Sequence, residues 1–232
     1  GLNELGEFNV EDRVIEYMLE KVKKKRLIDM SLVEFANETS SESPAPGGGS
    51  ISAYCGAMGI ALGTMVANLS SHKRGWDEKW EEFSKWAEKG IMYQNKLLQL
   101  VDKDTKAFNM IIAAFQLPKD TEEEKNIRTK AIQEATKNAI LTPLEVMNVA
   151  YESMEVIKKM ATYGNPNSIS DAAVGSLCSK TAVIGAFLNV RINCKEYDDK
   201  KFVKEILTRG EDIIKKVNKL EKEILEIANS KI

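Results

Sequence analysis

The chain has 232 residues, a formal net charge of −2, 43% hydrophobic residues and 29% charged residues. That length supports one sizeable core and no abrupt change of composition divides it, so a single domain over 1–232 is expected. The composition is too apolar for a disordered chain, and the near-zero charge offers no global attraction to nucleic acid or an anionic membrane; small ligands suit it better than polymers.

The opening residues, GLNELGEFNVEDR, are acidic and lack the basic-then-apolar order of a signal peptide. The three cysteines, Cys55, Cys178 and Cys194, have no Cys-x-x-Cys spacing, and their odd number argues against a secreted disulfide framework, so a cytoplasmic protein is expected. With His72 as the single histidine and no company for the cysteines, no metal site is expected.

Apolar residues recur at three- and four-residue spacing almost throughout, which predicts an all-α fold of about six helical stretches, counting an N-terminal one. Ser31 and Glu34 have capping-box spacing and open a helix that Pro44 and Pro46 stop. The stretch PAPGGGS then leads into a helix over 49–72. Free N–H groups at such a helix start, with glycine allowing close approach, could hold a carboxylate or phosphate; a tight packing turn explains Gly47, Gly48 and Gly49 equally well, and no Walker lysine follows. Residues 51–69 are uncharged and contain Gly59-x-x-x-Gly63, a possible membrane span, but Ser, Thr, Asn and Gly dilute their hydropathy and a buried soluble helix is the preferred reading.

Further breaks, at 73–75, 117–120, 164–167 and 197–199, bound helices over 77–116, 121–162, 169–195 and 198–229. On the first of these, Asp104 has Leu97, Leu100, Val101, Ala107, Phe108, Ile111 and Phe115 at helical spacing, so its carboxyl falls within the apolar stripe. A carboxyl so placed tends to have a raised pKa, suited to proton transfer near neutral pH, although a structural aspartate bonded to a serine or asparagine of a neighbouring helix fits the same pattern. Asp102, beside Leu98 and Lys106, reads as a solvated ion-pair residue. Thr121 and Glu124 form a second capping-box pair, and Pro143 is placed to kink the helix they open.

The helices over 49–72 and 169–195 both carry small-residue faces, Ala53, Ala57 and Ala61 on one and Ala182, Gly185, Ala186 and Asn189 on the other. They are predicted to be the central pair of an elongated multi-helix bundle. In GNPNSISDAAVGS, Ser168 and Asp171 again have capping-box spacing, while Asn165 and Asn167 gather polar groups at the same helix start. Asn189 and Asn193 suit interhelix hydrogen bonding or a ligand. Cys55 and Cys178, and Trp76, Trp80 and Trp86, read as packing residues, and 198–229 as an outer amphipathic helix.

The ordered motifs PAPGGGS, LVDKDTKAF, LPKDTEEEKNIR, TPLEV, GNPNSISDA and GAFLNVRIN, from about Ser31 to Asn193, resemble the formiminotransferase-cyclodeaminase family. The resemblance implies an all-helical fold that assembles at least as a homodimer and binds tetrahydrofolate derivatives as substrate, with no prosthetic group. It also implies conversion of 5-formiminotetrahydrofolate to 5,10-methenyltetrahydrofolate and ammonia, with the second aspartate of the D-x-D pair, Asp104 here, as the catalytic residue. On this reading Pro46, Gly47, Gly48, Gly49 and Ser50 hold an anionic or carbonyl part of the folate, Asn165, Asp171 and Asn189 bond the pterin, and Lys73 and Arg74 meet the glutamate tail. Since the chain carries no formiminotransferase motif, a separate formiminotransferase partner is expected. The alternatives are a methenyltetrahydrofolate cyclohydrolase using the same site, and a non-catalytic folate-binding or scaffold module.

Overall fold

The structure, a computed structural model, describes residues 26–232, and the part of the expected N-terminal helical stretch before residue 26 lies outside them. Among the described residues there are six α-helices and no strand. The first, α1 (Leu32–Thr39), starts at the expected capping box: the Ser31 hydroxyl accepts the Glu34 N–H and the Glu34 carboxylate accepts the Ser31 N–H. After a cis Ala45–Pro46 peptide comes α2 (Gly48–Ser71), then a 3₁₀ turn (Asp77–Lys79) leading into α3 (Trp80–Phe115). The second capping box, Thr121 with Glu124, opens α4 (Glu122–Tyr163), which continues as one helix through the buried Pro143. A 3₁₀ turn (Pro166–Ser168), α5 (Ile169–Cys194) and α6 (Lys200–Asn229) complete the chain.

The expected central pair is present and antiparallel. Along it, Gly48 meets Asn189, Gly56 meets Ala182, and Gly59 meets Ser179 and Gly175, so numbers rise on α2 as they fall on α5. A methyl on Gly59 would lie 2.6 Å from Ser179 Oγ and 2.7 Å from the Gly175 carbonyl oxygen; the absence of side chains there is what lets the two backbones meet. Around this seam α3 and α4 close the core with Leu97, Leu100, Ile140, Met147 and Ile157, all essentially inaccessible. Each such side chain contributes about 1.5–3 kcal/mol by leaving water. Outside them, α6 lays Ile206, Ile213, Val217 and Ile224 on α5 and α4 as an amphipathic helix should.

Among the described residues, two helices could cross a membrane by length and composition, residues 48–71 and 166–194. In the first, 61% of the most apolar window is already buried inside the protein, as expected of a core helix; in the second the share is 44%. The uncovered part is an outward face of the pair, with Met58, Met65 and Leu69 on α2 and Leu177, Ile184 and Leu188 on α5, each at least 36% exposed.

Candidate active site

At the start of α2 the N-cap residue is Gly47, which has no side chain with which to satisfy the first-turn N–H groups. The Ile51 N–H is taken by the Gly47 carbonyl, and the missing cap is supplied from another helix. Asp104, about two-thirds of the way along α3, points its carboxyl at this turn: Ser50 Oγ donates to Asp104 Oδ2 at 2.9 Å, and the Ser50 backbone N–H lies near enough to favour the carboxylate. Gly49 makes the approach possible, because a methyl there would overlap the Asp104 carboxyl. Thr105 Oγ1 stands 3.4 Å from Ser50 Oγ.

Burial pushes the Asp104 carboxyl above the ordinary carboxylate range, while the Ser50 hydroxyl and N–H pull it partway back. The carboxyl is nonetheless not sealed in. It opens on a cleft of about 260 Å³ lined by Gly47, Gly48 and Gly49 of the glycine turn, Phe108 and Ile111 one and two turns further along α3, and Asn189 on α5. Beyond Asp104 the apolar stripe of α3 thus changes character. Leu97, Leu100 and Val101 are core, whereas Phe108 and Phe115 are 40% and 54% exposed.

Asn189 shares the cleft as expected; its amide N–H donates to the Gly185 carbonyl at 2.9 Å, and the side chain lies against Gly48. Pro46 is buried behind the turn, and the proline and alanine facing the cleft are Pro44 and Ala45. Ser50 is fully buried and its polar atoms are engaged by Asp104, which makes it a support of the carboxyl and not a surface for ligand.

Four expected site residues lie elsewhere in the chain. Because α5 runs against α2, its N-terminus sits beside the C-terminus of α2, and the Asn165 N–H donates to Ser70 Oγ at 2.8 Å. From Ser50 to Ser70 is about 30 Å of helix at 1.5 Å per residue. Asn165, Asp171, Lys73 and Arg74 are therefore not brought to Asp104 within one chain. Lys73 stands 4.2 Å above the Trp76 ring, a cation–π contact. The expected Ser168 cap is not made: Ser168 forms no side-chain cap bond, and Asn165 instead accepts the Asn167 N–H to cap the preceding 3₁₀ turn.

Asp102 is corrected too. Its carboxylate accepts the Leu27 N–H at 2.8 Å and ties the segment before α1 to α3, so it is a backbone anchor more than a solvated ion-pair residue. Phe108, Ile111 and Thr105 were not expected as site residues, although the spacing of four and seven from Asp104 on a helix was the signal available for the first two.

Residues 31–212 match the family model described as formiminotransferase-cyclodeaminase. The chain belongs to the formiminotransferase-cyclodeaminase family. The match spans every residue of the cleft and ends within α6, so the family's common part is the bundle and the glycine turn. Among relatives in this family, a methenyltetrahydrofolate cyclohydrolase of Methylorubrum extorquens is 36% identical over 198 residues, 85% of this chain and 95% of that protein. The formimidoyltransferase-cyclodeaminase of Rattus norvegicus is 34% identical over 203 residues, and there the chain spans only 38% of the relative's length. A solved formiminotetrahydrofolate cyclodeaminase from Thermotoga maritima superposes with a TM-score of 0.76 at 28% identity, covering 87% of this chain and 96% of that one. The cyclodeaminase family is a family of enzymes, and the all-α bundle is its fold.

Proposed function

We propose that this chain closes 5-formiminotetrahydrofolate to 5,10-methenyltetrahydrofolate with release of ammonia, and that Asp104 moves the protons. The observation that carries this is a single carboxyl, raised in pKa by burial, that opens on a cleft beside a glycine turn. The formimino group on N5 enters as its conjugate acid; the folate N10 attacks its carbon and gives its own proton to the Asp104 carboxylate. The adduct's amino nitrogen then takes that proton, the carbon–nitrogen bond breaks, and ammonia leaves; the methenyl bridge keeps the positive charge and Asp104 returns to carboxylate. Both reacting groups belong to one molecule, so the site contributes orientation and one proton-transfer group.

The glycine turn suits a carbonyl of the folate better than an anion. Asp104 already places negative charge at the start of α2, and a second anion there would be repelled whenever Asp104 is ionised. We assign Gly48 and Gly49 N–H groups to that carbonyl, and Asn189 to pterin hydrogen bonding.

A second reading is methenyltetrahydrofolate cyclohydrolase, in which water opens the same bridge with the same carboxyl as base. The Methylorubrum extorquens relative, matched over nearly its whole length, favours it. Purified protein given 5-formiminotetrahydrofolate and, separately, 5,10-methenyltetrahydrofolate decides between them. Ammonia from the first without faster opening of the second supports cyclodeaminase. The reverse supports the hydrolase, and inactivity with both leaves the scaffold reading.

We further propose a homodimer through the apolar face of α2 and α5, in the cytoplasm, served by a separate formiminotransferase. If the two copies run oppositely, Asn165, Asp171, Lys73 and Arg74 of one meet the cleft of the other, which is how they would contact folate. Light scattering should read twice the 25.9 kDa chain mass, and a monomer at assay concentration overturns the dimer.

A further inference from the structure

Each hydroxyl has one proton to give, and this fixes the direction of the contacts behind Asp104. Ser50 Oγ gives its proton to Asp104 Oδ2 at 2.9 Å, so the 3.4 Å contact between Ser50 Oγ and Thr105 Oγ1 can only run from Thr105 to Ser50. Resting on the reading of Asp104 as the proton carrier, we propose that Thr105 and Ser50 form a one-way hydrogen-bond relay that holds Asp104 Oδ2 as a permanent acceptor and reserves Oδ1 for the reacting proton. Both are positioning residues: they act through Asp104.

Three observations converge on this. Ser50 is fully buried, which removes water as a competing partner for its hydroxyl. Among the described residues no other side chain donates to the carboxyl, so Oδ1 is left without a side-chain donor. The first turn of α2 holds the Ser50 backbone, which fixes the hydroxyl beside Asp104 Oδ2. The arrangement therefore serves both states of the catalytic cycle. As a carboxylate, Asp104 accepts from Ser50 through Oδ2; once protonated on Oδ1 it keeps Oδ2 as a carbonyl-type acceptor, and no donor has to turn over between taking the proton and returning it. Preorganisation of this kind avoids reorganisation during the reaction.

The relay makes a prediction about pH because, among the described residues, no charged group acts on Asp104. It meets Gly49 and Ser50 of α2, and the other residues lining its cleft, among them Asn189 and Asn193 of α5 and Ala139 of α4, are uncharged. On its own helix, Lys103 is directed to Glu145 at 2.6 Å, Asp102 to the Leu27 N–H, and Lys106 is exposed.

The test measures kcat and kcat/KM against pH with whichever of the two folates the protein turns over. Ser50→Ala removes a donor to the carboxylate, so the acid limb of kcat/KM should move to higher pH and kcat fall about tenfold, with KM little changed. Thr105→Val, equal in size but without a hydroxyl, should move the limb the same way by less, and Thr105→Ser should recover most of what Thr105→Val loses. If both Ser50→Ala and Thr105→Val lower activity with the acid limb unmoved, the relay is wrong and the two residues only pack. Should Ser50→Ala fail to fold, the Thr105 pair still decides. Asp104→Asn separates the layers: full activity in that variant sinks the assignment of Asp104 itself, whereas an inactive Asp104→Asn beside unshifted profiles sinks only the relay.

Discussion

The two ends of the α2–α5 pair are built from the same materials and put them to different uses. At each end one helix begins where the other finishes, glycine and asparagine crowd the turn, and serines line the seam. At the Asn165 end the polar groups satisfy the fold: Asn165 caps a 3₁₀ turn and its N–H goes to Ser70, while Lys73 lies over Trp76. At the Gly47 end the turn carries no cap of its own, and the carboxyl that serves it comes from α3 and remains open to a cleft. Polar groups engaged in this way have less to offer a ligand within the same chain. A cap imported from another helix and left partly open can still exchange its proton.

The sharpest way to break this contrast is at Asp104. Asp104→Asn keeps the shape and an acceptor for Ser50 but cannot carry the proton, so turnover should fall about 10²–10⁴-fold with the fold intact by circular dichroism. Parental turnover would make the Gly47 end as structural as the other.

Gly49→Ala tests the same end through geometry alone. The added methyl overlaps the Asp104 carboxyl, which must swing out of its place over the turn. Displacement of about 1 Å at a reacting group can cost about 10²-fold in rate, and overpacking here should cost about 1–3 kcal/mol in a urea melt. Gly47→Ala is the control, since its nearest neighbour would be the Pro44 carbonyl oxygen at 3.8 Å, an ordinary contact. Equal rate losses in the two variants would mean that the turn, and not the carboxyl over it, matters.

Much of this architecture was legible in the sequence, and the limits follow from what a helix encodes. Both full capping boxes, at Ser31 and Thr121, are local and were read correctly, as were the small faces that bring α2 and α5 together. The DKD triplet was read only in part. Consecutive helical residues point about 100° apart, so Asp102, Lys103 and Asp104 meet three different neighbours: the Leu27 N–H, Glu145 on α4 and Ser50 on α2. The stripe pattern identified Asp104 as the inward one, but its partner is 54 positions away and depends on how α2 crosses α3. For the same reason two motifs with similar composition, PAPGGGS and GNPNSISDA, could not be sorted to opposite ends. Composition does not reveal that two adjacent helices run antiparallel.

The far end offers a smaller effect that can sharpen the contrast. Asn165→Ala loses one cap, worth about 1 kcal/mol in a thermal or urea melt, and Asp171→Asn should change stability less, being half-exposed in the first turn of α5. Neither should change kcat of a monomer. A rate loss in Asp171→Asn without a stability loss would mean that a second copy delivers this end to the cleft, and the two ends would then be halves of one composite site.

The smallest effect concerns stability and pH, and it asks whether the carboxyl over the glycine turn is a cap or a strained functional group. Burial raises the Asp104 pKa in the folded chain above its unfolded value, so the folded state binds that proton more tightly. Below the ordinary carboxylate pKa both states are protonated and Asp104 carries no penalty. As pH rises from there through the raised folded value, the unfolded chain releases its proton first and the folded state loses stability, with the full penalty above both. Asp104→Asn has no proton to lose, so its urea midpoint at neutral pH should exceed that of the parent, and the gap should close as the solution is acidified. A gap independent of pH would place the difference in packing. A variant less stable than the parent at neutral pH would show that the carboxylate's service to the α2 start outweighs its burial, making Asp104 a cap in the same sense as Asn165.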